Sequence, residues 1–302
     1  MTMFFQLLVI GIAMGFIYAL VAIEYTLVWN ACQLLNFSHT KIIMFGAYVF
    51  AGTFIGNLRL PTIFAIILSI LVMGLLGIFI AYVIFLPLKN MTRLCAIIGT
   101  FMLGWILSES TRFIWGANPL TVKGFLTGIV HVGEAIIARV YIYIIIVTLN
   151  AIVLLLIFMN KTKFGKAMRC VAENKGASAL MGIDVSFIIV ISIALSCMIC
   201  CIIGILVVPL YSVHSSMAEL IGLKGFAAGI IGGFGSVPGA LLGGILLGIA
   251  ENLLSIVIPS LYKDIVSFLL MIGVLLIKPN GLLGMRKETA KKHRLRRQKV
   301  VM

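Results

Sequence analysis

Three carboxylates stand inside long apolar runs of this 302-residue chain: Glu24, Glu109 and Glu251. Ionisable groups at membrane depth are expensive, which makes each a candidate for contact with a solute or a proton. Their scatter through unrelated segments argues against a proton relay. Each also has a second reading, as a protonated or hydrogen-bonded packing residue or one reaching an interface. Asn36, Ser38 and His39 form a polar cluster that either caps a helix starting near Thr40 or lines a pathway. Glu24, Asn36, Ser38, His39 and Glu251 are therefore the pathway candidates. Cys197, Cys200 and Cys201 share one helix face, but no His or carboxylate stands beside them in sequence, so they read as packing and no metal site is expected. The four histidines, His39, His131, His214 and His293, lie in unrelated segments and offer no Ser/His/Asp set. No GxxxxGK[ST] occurs, so the chain has no phosphate cradle of its own. It reads as performing no chemistry, as an enzyme or with a cofactor.

Composition says what holds these residues. Hydrophobic residues make up 62% of the chain and charged ones 11%, against roughly one half and one quarter in soluble domains. This is a polytopic membrane protein. Its net charge of +14 gathers at the ends of apolar runs, where membrane orientation accounts for it, so anionic lipids and not nucleic acid are the expected neighbours. The six cysteines are expected to be free thiols. The first apolar run lacks a basic lead and a small-residue cleavage site, and reads as a retained span.

A span needs about 20 apolar residues, and Gln6–Val28 supplies the first, with Gly11 and Gly15 on a small-residue face. Trp29–Lys41 is polar for its depth and Ile42–Ile55 is short, so together they read as a broken or re-entrant span. Thr62–Leu88, Leu94–Trp115 and Tyr141–Met159 follow, with Gly116–Arg139 as an extracytoplasmic loop. Phe187–Tyr211 is an uninterrupted helix, Ile221–Val237 is short and glycine-rich, and Pro238–Ile258 and Asp264–Ile277 complete the set. Gly235, Gly239, Gly243, Gly244 and Gly248 allow close helix contact around the tight turn Gly232–Gly239. The expected architecture is all-α, with eight to nine transmembrane segments over residues 1–285 and a basic cytoplasmic tail over 286–302. Interrupted helices, one in each half, are a transporter feature: irregular backbone at depth is tolerated where it is buried or lines a cavity.

Lys161–Ser186 is the long polar interruption between the apolar halves, and its basic excess places it in the cytoplasm. Counting outward puts the amino terminus outside and the carboxyl terminus inside. Arg169–Met181 is rich in helix formers and Gly182 is a plausible C-cap, so a short surface helix is expected there. It is either a connector or a docking knob for a cytoplasmic partner.

Six stretches together resemble the permeases of bacterial ATP-binding-cassette importers for branched-chain amino acids, of the LivH type. They are Ile17–Trp29, Leu34–Tyr48, Phe164–Asp184, Lys224–Leu253, Tyr262–Phe268 and Lys278–Gly284. The resemblance implies a fold like that of vitamin B12 and ribose permeases in the bacterial inner membrane. It also implies a second, LivM-like permease subunit, two cytoplasmic ATPases and an extracytoplasmic substrate-binding protein. The coupling helix of such permeases falls on Glu173–Gly182, with Glu173, Asn174, Ala177, Ala179, Leu180 and Gly182 as the coupling residues. Two departures stand out: Glu24 replaces a usual small residue, and Thr40 and Lys41 stand where Gly and an acid are common. The substrate expected from the resemblance is a branched-chain amino acid. A permease of the same architecture for urea or amides is the alternative in transport, and a stand-alone channel the alternative outside it.

Overall fold

The computed structural model describes residues 2–284 apart from 90, 123, 133–134, 257–258 and 260–261. The basic tail, 286–302, lies outside the described residues, as does the far end of the expected span Pro238–Ile258. The chain is helical almost throughout, in the order α1 (Thr2–Cys32), α2 (His39–Tyr48), α3 (Thr62–Ile80), α4 (Leu86–Leu88), α5 (Arg93–Trp115), α6 (Arg139–Lys161), α7 (Lys163–Glu173), α8 (Lys175–Leu180), α9 (Val185–Val207), α10 (Glu219–Gly232), α11 (Val237–Leu254) and α12 (Lys263–Ile277). Wider π-helical turns continue α2 through Val49–Asn57 and α3 through Ala81–Phe85. A two-stranded antiparallel hairpin, β1 (Ile129–Val132) with β2 (Ala135–Ala138), sits in the loop before α6.

Among the described residues six helices are long and apolar enough to cross a membrane: α1, α3 with its continuation, α5, α6, α9 and α11. Three shorter ones, α2 with its continuation, α10 and α12, complete nine segments in the expected order. Large apolar side chains such as Phe64, Leu75 and Leu154 are exposed, as lipid contact requires. Polar side chains within the helices return their hydrogen bonds to the preceding turn, as Ser69 does to the Ala65 carbonyl and Thr148 to that of Ile144, because hydrocarbon offers no partner.

The core forms around α1, which packs against α11, α10, α9 and α6. Absent side chains bring α1 and α11 together. A Cβ on Gly248 would fall on the Gly15 backbone and one on Gly244 on Ala19, while Gly11 faces the Gly248 carbonyl. Gly239 and Gly243 meet the Gly232 backbone across the turn from α10 to α11. Gly235 differs from its neighbours: it has a φ of +93° and lies next to Asn30, so its work is in the turn. After α12 the chain returns, and Leu282 and Leu283 N–H donate to the Ile231 and Gly232 carbonyls, closing the end of α10.

Candidate functional site

Both short helices of the core start inside the protein and not at its edge. The chain leaves α1 at Cys32, turns through Gln33 at a φ of +56°, and restarts as α2 at His39. Ser38 is the N-cap but its side chain makes no cap bond. Asn36 Oδ1 instead accepts from the Ser38 N–H at 3.1 Å and the Ser38 hydroxyl at 2.6 Å. In the second half, the chain leaves α9 near Val207 and passes through residues 208–218. It restarts as α10 at Glu219, again with no side-chain cap. The 14 residues of α10 rise about 21 Å at 1.5 Å per residue. Its far end lies beside the end of α1, where Asn30 Nδ2 donates to the Gly235 carbonyl. The start of α10 is thus deep within a hydrocarbon thickness of about 30 Å.

A cavity of about 780 Å³ opens where the two starts meet, within the roughly 300–1,000 Å³ usual for small-molecule sites. Asn36, Thr40 and Lys41 line it from the first break, and Ser215, Ser216 and Glu219 from the second. Phe101, Trp105, Leu223 and Phe226 give it an apolar wall. Across it Lys41 Nζ pairs with Glu219 Oε1 at 2.6 Å and donates to the Ser215 carbonyl at 3.1 Å. Glu109 and Arg112 pair with each other at 3.1 Å on its rim. Glu219 is half exposed, as are Glu109 and Arg112. Hydrocarbon does not tolerate charges on that scale, so this face opposes protein or a water-filled path.

Of the five pathway residues expected from sequence, only Asn36 lines the cavity. Glu24 and His39 are fully buried: the Glu24 carboxylate touches His39 Nδ1 with one oxygen and the Ser196 hydroxyl with the other. The His39 ring also packs on Tyr25, with centroids 4.2 Å apart, and its Nδ1 lies 3.5 Å from Cys200 Sγ. This knot pins the start of α2 to α1 and α9, and Ser38 is buried beside it. Among the described residues Glu24, His39 and Cys200 are also the one His/Cys/carboxylate group whose donor atoms all lie within 4.8 Å of one another. The fold has thus brought a His and a carboxylate to the cysteine face, which sequence neighbours alone lacked. Glu251 faces away from the cavity into a second buried group. Lys224 Nζ lies 2.7 Å from both Glu251 Oε1 and Asp264 Oδ1, Ser267 donates to Glu251 Oε2 at 3.1 Å, and Tyr18 covers the ammonium. This group joins α1, α10, α11 and α12.

Between α6 and α9, the expected single surface helix is two. Asn174 interrupts it: Glu173 ends α7, and the Asn174 side chain caps α8 by accepting from the Ala177 N–H at 3.1 Å. An Asn cap competes with helix continuation, which composition alone could not reveal. Gly182, at a φ of +81°, ends the segment. Ala177 and Ala179 are exposed, and Leu180 and Met181 are 92% and 80% exposed at the tip. Lys175 ties α8 to the last turn of α1 through the Cys32 carbonyl at 2.6 Å, a cation at a helix C-terminus.

The family described as branched-chain amino acid transport system / permease component matches residues 7–275. The chain belongs to that family. It is 33% identical to the high-affinity branched-chain amino acid transport system permease protein LivH of Escherichia coli, over 93% of this chain and 96% of the relative. The corresponding BraD protein of Pseudomonas aeruginosa is 32% identical over the same shares. A probable branched-chain amino acid transport permease protein LivH of Methanocaldococcus jannaschii is 28% identical over 88% of each chain. No solved structure matches. For a permease of this family, the Lys41–Glu219 pair was the element least visible in sequence. Lys41 follows the first break and Glu219 follows the second, and that parallel was the available signal.

Proposed function

We propose that this permease is the membrane-spanning subunit of an ATP-driven importer for branched-chain amino acids. The observation that carries the reading is the family match across nearly the whole chain, joined to a cavity built where two broken helices meet. The charged, half-exposed face around that cavity is suited to a second permease subunit, with the pathway between the two. Two cytoplasmic ATPases supply the work and an extracytoplasmic binding protein delivers the substrate. Selective basicity of the segment around α7 and α8 supports a cytoplasmic location for it, with the amino terminus outside and the carboxyl terminus inside a bacterial inner membrane.

Coupling falls on α8. Its exposed Ala177, Ala179, Leu180 and Met181 are suited to an ATPase groove, and the Lys175 bond gives α8 a direct hold on α1. Motion of the ATPases then shifts the populations of the permease through that contact. The experiment is uptake of labelled leucine by the complex reconstituted in liposomes, with valine, urea and ribose as competitors. ATP-dependent uptake competed by valine alone is expected. Uptake without ATP or partners indicates a channel, and competition by urea indicates the small-solute alternative. Ala177→Glu or Ala179→Arg is expected to abolish uptake and ATPase association while leaving membrane insertion intact.

A further inference from the structure

The cavity holds charges of both signs: Lys41 Nζ pairs with Glu219 and also donates to the Ser215 carbonyl, and the Glu219 side chain is half exposed. Lys41 and Glu219 each come from the first turn of a half-helix that has no side-chain cap bond, α2 because the Ser38 hydroxyl is turned to Asn36 and α10 because its cap residue is Ala218, so the first-turn N–H groups add positive potential at both ends. Asn36 supplies an independent sign of a missing ligand. It is 2% exposed and lines the cavity, its Oδ1 is committed to Ser38, and its Nδ2 has no partner among the described residues and is closed off from solvent, so it reaches a ligand only when the amide turns toward the cavity. A buried donor left unmade costs free energy until something accepts from it.

We propose that Asn36, Lys41 and Glu219 form a subsite for the charged head of an α-amino acid. The carboxylate is taken by Lys41 Nζ and Asn36 Nδ2 at the start of α2, and the ammonium by Glu219. Binding exchanges one internal ion pair for two intermolecular ones with no change in net charge, so no charge is left uncompensated at depth. A ligand carrying only a carboxylate strands Glu219, and one carrying only an ammonium strands Lys41. A neutral solute such as urea opens the pair without replacing it. Stranding a polar partner is what allows a site to reject an analogue strongly. The aliphatic side chain then lies on the wall of Phe101, Trp105 and Leu223, where one methylene more or less is discriminated weakly. Because an acid is common in the family at the position of Lys41, this subsite is particular to this chain, which thereby recognises the zwitterion and tolerates leucine, isoleucine and valine alike.

The inference rests on the reading of the chain as an amino-acid permease, and its test separates the two. Equilibrium binding of labelled leucine is measured on the purified permease–ATPase complex without binding protein, beside liposome uptake with it. Saturable binding is expected, competed by valine but not by equimolar 4-methylpentanoate or 3-methylbutylamine, which lack one charge each. Lys41→Met and Glu219→Gln are each expected to weaken binding at least tenfold, Asn36→Leu several-fold, and Lys41→Arg little. The double variant Lys41→Glu with Glu219→Lys keeps the ion pair and so the fold, but sets an anion at the start of α2. It is expected to lose binding even if a single variant fails to fold. Normal binding by the double variant, or equal competition by the singly charged analogues, overturns the subsite. So does leucine uptake by a complex that does not itself bind leucine. Failure of leucine uptake in the wild-type complex overturns the permease reading instead.

Discussion

Two groups of charges sit inside this membrane protein and are treated differently. Lys224, with Glu251, Asp264, Ser267 and Tyr18 around it, is walled in by four helices, and its ammonium and the Glu251 carboxylate are almost wholly buried. Lys41 and Glu219 meet across a cavity, with the glutamate half exposed. With Lys224 and Glu251 closed in and only Asp264 reaching the surface, the first group fixes helices in place. With one side open, the second pair is available to a third party. Burial of a charge therefore does not by itself mark a pathway, and the open side of the pair is the informative feature.

The contrast can be broken most forcefully at Lys224. Lys224→Met leaves two carboxylates facing each other across an apolar interface, and losing one partner of a buried pair costs about 3–5 kcal/mol. A large fall in thermal midpoint in detergent is expected, and an unchanged midpoint contradicts a structural role. Replacing the group together, with Lys224→Met, Glu251→Leu and Asp264→Leu, is expected to recover most of that loss, since well-packed apolar residues often substitute for buried ion pairs without penalty. Next comes the Glu24 knot. Glu24→Ala strands His39 and Ser196 and is expected to cost about 1–3 kcal/mol, with Glu24→Gln costing less, read by the same melts. The smallest effect on stability belongs to the open pair: Lys41→Met is expected to cost about 1 kcal/mol or less, as partly exposed pairs do. A drop in midpoint as large as that of Lys224→Met would place Lys41 with the structural charges.

Much of the fold was legible without coordinates. Runs of some 20 apolar residues fix spans because hydrocarbon leaves the backbone no other partner, and glycines at fourth-residue spacing mark helices that approach closely, as Gly244 and Gly248 do on α1. The functional residues were harder to read. Glu24 and Glu251 looked alike, as carboxylates in apolar runs, yet neither lines the cavity. His39 and Asn36 stood three residues apart and went separate ways, one into the core knot and one to the cavity wall, because the restart of α2 turns successive side chains to different sides.

Sequence alone determined that the chain lies in a membrane, that it is helical, and where its two helices break. Those properties follow from composition and from local backbone chemistry. Tertiary structure decided which charges are closed and which are open, that Cys200 lies beside His39 and Glu24, and that the surface segment bends at Asn174 into two helices. Partnership between residues more than 150 positions apart, such as Lys41 with Glu219, depends on how the helices stack. No local propensity records that stacking.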